Sequence, residues 1–197
     1  MTTSLPPELR QLARFAADAF GAPLPRVAVH PPAAGRDDVH VLAAPDRPRA
    51  GLASWATAGL ALHRPPGPAR TPETRVELVA VTTAAADFAP VLAAAARQVA
   101  QAGWRVAPGV VFAGVVAAQG LSTTLSDLFF VRPDLWGDLL APVPWGEGGR
   151  LRLSWLRALP VSQAESAFAQ AYGPERLQAL LAERGADLSD LARPSAA

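Results

Sequence analysis

The chain has 197 residues, enough for one sizeable domain or at most two small ones. It carries 18 basic and 17 acidic residues, a formal net charge of +1, and a charged fraction of 18% against a usual level of about 25%, so it has no electrostatic footprint for nucleic acid or an acidic membrane surface. With no cysteine it can form no disulfide, thiolate metal site or cysteine nucleophile, and with no lysine every basic side chain is arginine.

The N-terminus, "MTTSLPPELR", has no basic segment followed by an apolar one, and no apolar run approaches the roughly 20 residues of a membrane span. The expectation is a cytoplasmic protein without membrane contact. "PPELRQLARFAADAFG" reads as a first helix, with Leu9, Leu12, Ala16, Ala19 and Phe20 at helical spacing and Gly21 as the stop. Residues 22–38, Pro-rich, read as a connector. "VHVLAAP" and "GLASWATAGLAL" are strand candidates, and "HRPPGPARTP" (63–72) is a loop. "ETRVELVAVTT" (73–83) is the clearest strand: Val76, Leu78 and Ala80 share one face, and Glu73, Arg75 and Glu77 share the other.

"DFAPVLAAAARQVAQAG" reads as the central helix, with Asp87 as N-cap, Pro90 in the first turn and Gly103 as the stop. "GVVFAGVVAA" reads as a buried strand, "LSDLFFV" as another, and "RPDLWGDLL" as a helical turn. "WGEGGR" is a turn into "GRLRLSWLRAL", in which Leu151, Leu153 and Trp155 alternate with Arg150, Arg152 and Ser154. Two helices, "SQAESAFAQAYG" and "PERLQALLAERG", precede "ADLSDLARPSAA", which reads as a tail. Strands and helices do not alternate one for one. The expected fold is therefore α+β: a mixed, mainly antiparallel sheet flanked by helices in a single domain.

Chemical signals are few. Ser162-Gln163-Ala164-Glu165 has the spacing of a capping box, which accounts for Glu165 without catalysis and predicts that Glu165→Gln is nearly silent. Glu73 and Glu77 flank Arg75, which would lower both carboxyl pKa values, so a solvated or partner-facing ion cluster fits better than acid–base chemistry. His30, His40 and His63 have no metal-ligand spacing, and no metal is expected. "GLSTTLSD" lacks a nucleophile elbow, and there is no phosphate-binding glycine loop, so no cofactor is expected. Trp104, Trp136 and Trp145 lie at element ends, where an aromatic is either rim packing or a binding anchor.

Several segments, read in order, resemble one family. "ATAGLAL" (56–62) is similar to a strand bearing a Thr-x-Gly-Leu-Ser motif, with Ala61 where Ser is frequent, and "RVELVAV" (75–81) to the Arg-x-Glu-Leu strand after it. "APGVVFAG", "STTLSDLFFVRPDLW", "LSWLRALPVSQAESAF", "YGPERLQALL" and "DLSDLARPSA" resemble the segments that follow. The set is identified with the suppressor of fused (SUFU-like) domain family in a bacterial single-domain form, over residues 37–195, with residues 1–36 as an N-terminal helix and Pro-rich connector.

That resemblance implies an α+β domain that binds protein and performs no reaction. Bacterial members imply an immunity protein that neutralises a toxin domain, often a nuclease. Acidic groups could then mimic phosphates, with Glu73, Glu77, Asp134 and Asp138 as the exposed-looking set. The expected partner surface is Glu73, Arg75 and Glu77 at the charged end of their strand, the Pro-rich loop before it, and Trp136 or Trp145 as an anchor. Strand addition at an exposed edge is the expected mode. The rival reading is a small hydrolase using Glu77 or Glu165 with a nearby histidine, His40 or His63.

Overall fold

The computed structural model describes residues 6–23, 25–30, 39–64 and 73–197. It is a three-layer α+β domain built on one eight-stranded sheet. The strands are β1 (Arg26–His30), β2 (Val39–Pro45), β3 (Leu52–Ala58), β4 (Glu73–Thr83), β5 (Val111–Phe112), β6 (Asp127–Val131), β7 (Val143–Trp145) and β8 (Leu151–Val161). Their order is β1-β2-β3-β4-β8-β6-β5, with β7 pairing the first residues of β8. Every pairing is antiparallel except β4 with β8. The helices are α1 (Pro7–Phe20), α2 (Ala89–Ala102), α3 (Gln163–Tyr172) and α4 (Pro174–Glu183).

Side-chain alternation sorts the strands between two layers. On one face Trp55, Leu78, Ala80, Phe130 and Ala158 pack under α2, whose Phe88, Leu92, Ala95 and Val99 enter the core as their spacing predicts. On the other face Leu42, Ala56, Val79, Leu153 and Trp155 pack under α1 and the 3-10 segment Asp134–Leu140. Further along that second face, Phe129, Val131, Leu159 and Val161 pack under α3 and α4. Helix α1 ends at Gly21, which takes the left-handed conformation expected of a stop.

The structure departs from the sequence reading in several places, of which four concern the course of the chain around the sheet. Residues 26–30 form β1, not connector, because their backbone pairs with β2 despite the Pro-rich flanks. The run 109–118 contains only the two-residue β5, since the chain turns at Gly114, whose amide donates to Asp127 Oδ1. Asp87 precedes the cap position, which is Phe88, and accepts instead from the Ala89 amide at 3.2 Å. The C-terminal residues are a docked clasp, described below. Residues 31–38 of the expected connector and 65–72 of the expected loop lie outside the described residues.

Candidate functional site

The carboxylates singled out in the sequence belong to the architecture. Glu77 lies in β4, at the centre of the sheet, and is 0% exposed. Its Oε1 accepts from the backbone amides of Gly59 and Ala61, both at 2.9 Å, and its Oε2 accepts from the Thr57 hydroxyl. The "TAGLA" turn after β3 thus wraps the carboxylate of the neighbouring strand. Gly59 is required there: its φ is +116°, and a Cβ would fall 2.7 Å from Leu9 Cδ2 of α1. Burial pushes the Glu77 carboxyl above its ordinary value, against the pull of Thr57 and the turn amides.

This corrects the expected charged half-face. Glu77 does not reach a surface, and reversing its charge would strike the core. Glu73 at the strand's start is 22% exposed and pairs with Arg75 at 3.3 Å and Arg64 at 3.5 Å. Arg75 also donates to the Leu62 carbonyl at 3.3 Å, closing the same turn from outside. Trp136 and Trp145 are 6% and 7% exposed and root the layer over Trp155, so neither is a surface anchor. Trp136 lies 5.4 Å from Phe20, centroid to centroid. Strand β4 lies between β3 and β8, so it offers no edge for strand addition; the free edges among the described strands are at β1 and β5, with β7 flanking the start of β8. Asp134 and Asp138 are exposed, as expected.

Glu165 does form the capping box: the Ser162 hydroxyl accepts from the Glu165 amide at 3.0 Å, and Glu165 Oε2 accepts from the Ser162 amide at 2.8 Å. The box is only part of its role. Arg193 donates to Oε1 at 2.6 Å and to Oε2 at 2.8 Å, and the Ala196 amide donates to Oε1 at 2.8 Å. Arg193 also reaches the Pro160 carbonyl at 3.1 Å, and Ser195 meets Ser162, hydroxyl to hydroxyl, at 2.7 Å. The Arg-x-Ser ending is therefore a clasp that closes on α3. Burial alone would raise the Glu165 pKa, but the Arg193 fork and the Ala196 and Ser162 amides outweigh it and hold the carboxyl low. Glu165→Gln would turn an amide NH2 toward one arm of the guanidinium, so the structure predicts a loss of stability there where the capping box alone predicted none.

Asp127, which the sequence reading passed over, is a third latch. It sits at the start of β6 and accepts from Gly114 N at 2.9 Å, Ser126 Oγ at 2.7 Å and Ser166 Oγ of α3 at 2.6 Å. An acidic residue opening the apolar run "DLFFV" was the available signal. Ser122 joins the clasp too, donating to the Leu191 carbonyl. Among the described residues, no group of three or more His, Asp or Glu is placed to hold a metal ion, and no helix is long and apolar enough to cross a membrane.

The segments that carry these latches are those that suggested a family, and the comparison with known proteins decides it. The model of the suppressor of fused protein (SUFU) family matches residues 35–194. This chain belongs to the suppressor of fused family. It is 31% identical over 189 residues to the immunity protein YqcF of Bacillus subtilis (strain 168), covering 95% of this chain and 96% of that protein. Among solved structures, a SUFU homologue from Neisseria gonorrhoeae FA 1090 superposes with a TM-score of 0.67 at 16% identity, over 96% of this chain and 97% of that one. A chain of the Sufu–Fu complex superposes with a TM-score of 0.70 at 15% identity, over 98% and 93%. At those identities the two structures establish the shared fold alone.

Proposed function

We propose that this protein is a non-enzymatic, cytoplasmic immunity protein that binds and neutralises a toxin domain, with a nuclease as the toxin class. The observation that carries this reading is the 31% identity to an immunity protein over nearly the full length of both chains. The latches support it: Glu77 and Glu165 have their oxygens committed to turn amides, a hydroxyl and Arg193, which leaves the rival hydrolase without its proposed acid or base. In the proposed partner surface, Glu73, Asp134 and Asp138 are the acidic groups that could face the basic residues of a nuclease, with Arg75 behind Glu73.

The test is co-expression with toxin domains encoded beside this gene in a sensitive bacterial host. Rescue of growth, with a 1:1 or higher complex on size-exclusion chromatography, is the expected result. A host that dies as fast with this protein as without it, and no complex with any neighbouring toxin, would overturn the reading.

A further inference from the structure

Arg157 is a half-buried cation near the centre of the sheet that makes no direct ion pair among the described residues. It lies in β8, in register with Val79 of β4 on one side and Val131 of β6 on the other. Trp155 and Leu159, two residues away in each direction, share its face. Trp155 and Val79 belong to the apolar cluster under α1 and the 134–140 segment, whereas Leu159 and Val131 belong to the cluster under α3 and α4. Arg157 therefore stands on the floor of the seam between the two clusters.

Its guanidinium is poorly served there. Arg157 takes part in none of the ion pairs Arg64–Glu73, Arg75–Glu73 and Arg193–Glu165. Its Nε is buried and meets no acceptor among the described residues. Burial lowers its pKa, and exposed Asp134 at the rim offsets this only in part. The buried Nε1 of Trp136, in the segment that forms one bank, likewise meets no acceptor among the described residues. On that bank Leu135 and Leu139 are 47% and 69% exposed. A half-buried cation held without a direct ion pair is costly to the folded state, and Arg presents a planar fork that matches a carboxylate.

We propose that this seam is the docking groove for a partner protein, in which Arg157 receives a carboxylate carried on an apolar segment that covers Leu135 and Leu139. The inference rests on the protein-binding reading above and names the chemistry that the partner must bring. Charge complementarity selects the carboxylate. The exposed leucines select a polypeptide segment over a small free anion, which would leave them uncovered.

The test has two arms. In the first, the Nε–Hε resonance of Arg157 is followed while sodium acetate replaces sodium chloride at constant ionic strength. A saturable, acetate-specific shift, absent from the phosphate-free chloride control, is expected; equal response to both salts overturns the inference. In the second, wild type, Arg157→Met and Leu135→Ser/Leu139→Ser are titrated against the toxin domain that the wild type neutralises. Arg157→Met is expected to weaken binding roughly 30-fold or more, as loss of one member of a desolvated charge pair does. Its thermal midpoint should stay level or rise, because an apolar replacement removes the burial cost. The double serine variant should also bind more weakly with an unchanged midpoint. If the wild type binds tightly and Arg157→Met binds equally well, the inference falls and the immunity reading stands. If the wild type neither binds nor protects, the immunity reading falls, and this partner site falls with it.

Discussion

Glu77 and Glu165 are both 0% exposed, and each ties a loop to the sheet or to a helix that leaves it, yet they are held in opposite electrostatic settings. Glu77 faces neutral donors: a hydroxyl and the amides of a glycine turn. Glu165 has the same kind of amide support plus a two-pronged guanidinium. Burial wins at Glu77 and raises its pKa, while Arg193 reverses the outcome at Glu165. At Glu77 the neutral donors fix where the carboxylate sits without offsetting its burial, whereas at Glu165 the added cation tips the balance to the charged form. The two latches thus respond differently to mutation and to pH.

The largest effect is expected from removing the cation. Arg193→Ala leaves the Glu165 charge buried without a partner and frees the C-terminal clasp, costing about 3–5 kcal/mol of stability in urea unfolding. Glu165→Gln is expected to cost about 2–3 kcal/mol, because it leaves Arg193 as the unpaired buried charge. The same change at Glu77 is expected to stay within about 1 kcal/mol, since a Gln carbonyl can still accept from Gly59 and Ala61. Equal losses in the two Glu→Gln variants would break the comparison.

These contrasts show what the sequence could and could not reveal. The α+β fold was legible because the first halves of β4 and β8 alternate apolar with polar residues and the helices α1 and α2 carry stops at Gly21 and Gly103. The capping box was legible because its partners lie three residues apart. The Arg193 fork was not, because it joins residues 28 apart in sequence. Glu77 misled for a different reason. Charged residues at alternate positions, Glu73, Arg75 and Glu77, have the pattern of a solvated face, and that pattern cannot show that the turn 57–61 folds over its inner end. Trp145 does end a strand, whereas Trp136 lies inside the 134–140 segment; both are covered because such short segments can fold back as lids over a sheet. Strand β1 was hidden by prolines on both sides of a five-residue run.

The smallest effect is expected at the open end of β4. Glu73→Arg loses partly exposed ion pairs with Arg64 and Arg75, so stability should change by at most about 1 kcal/mol. Binding to a neutralised toxin should weaken under the proposed partner surface, which calorimetry at two salt concentrations would show. A stability loss as large as that of Arg193→Ala would mean that Glu73 is a further structural latch beside Glu77, Glu165 and Asp127.

The electrostatic contrast also sets the pH response. Glu77, with its folded pKa raised, favours the fold most below the ordinary glutamate value of 4.5 and loses that contribution as pH rises through its folded value. Glu165, with its folded pKa lowered, stabilises above 4.5 and loses that contribution as pH falls through its folded value. The most direct measurement is a carbon-13 titration of both side-chain carboxyls in the folded protein, assigned with the two Glu→Gln variants. The account predicts that Glu77 takes up its proton above 4.5 while Glu165 is still ionised below it. Both carboxyls titrating on the same side of that value would contradict it.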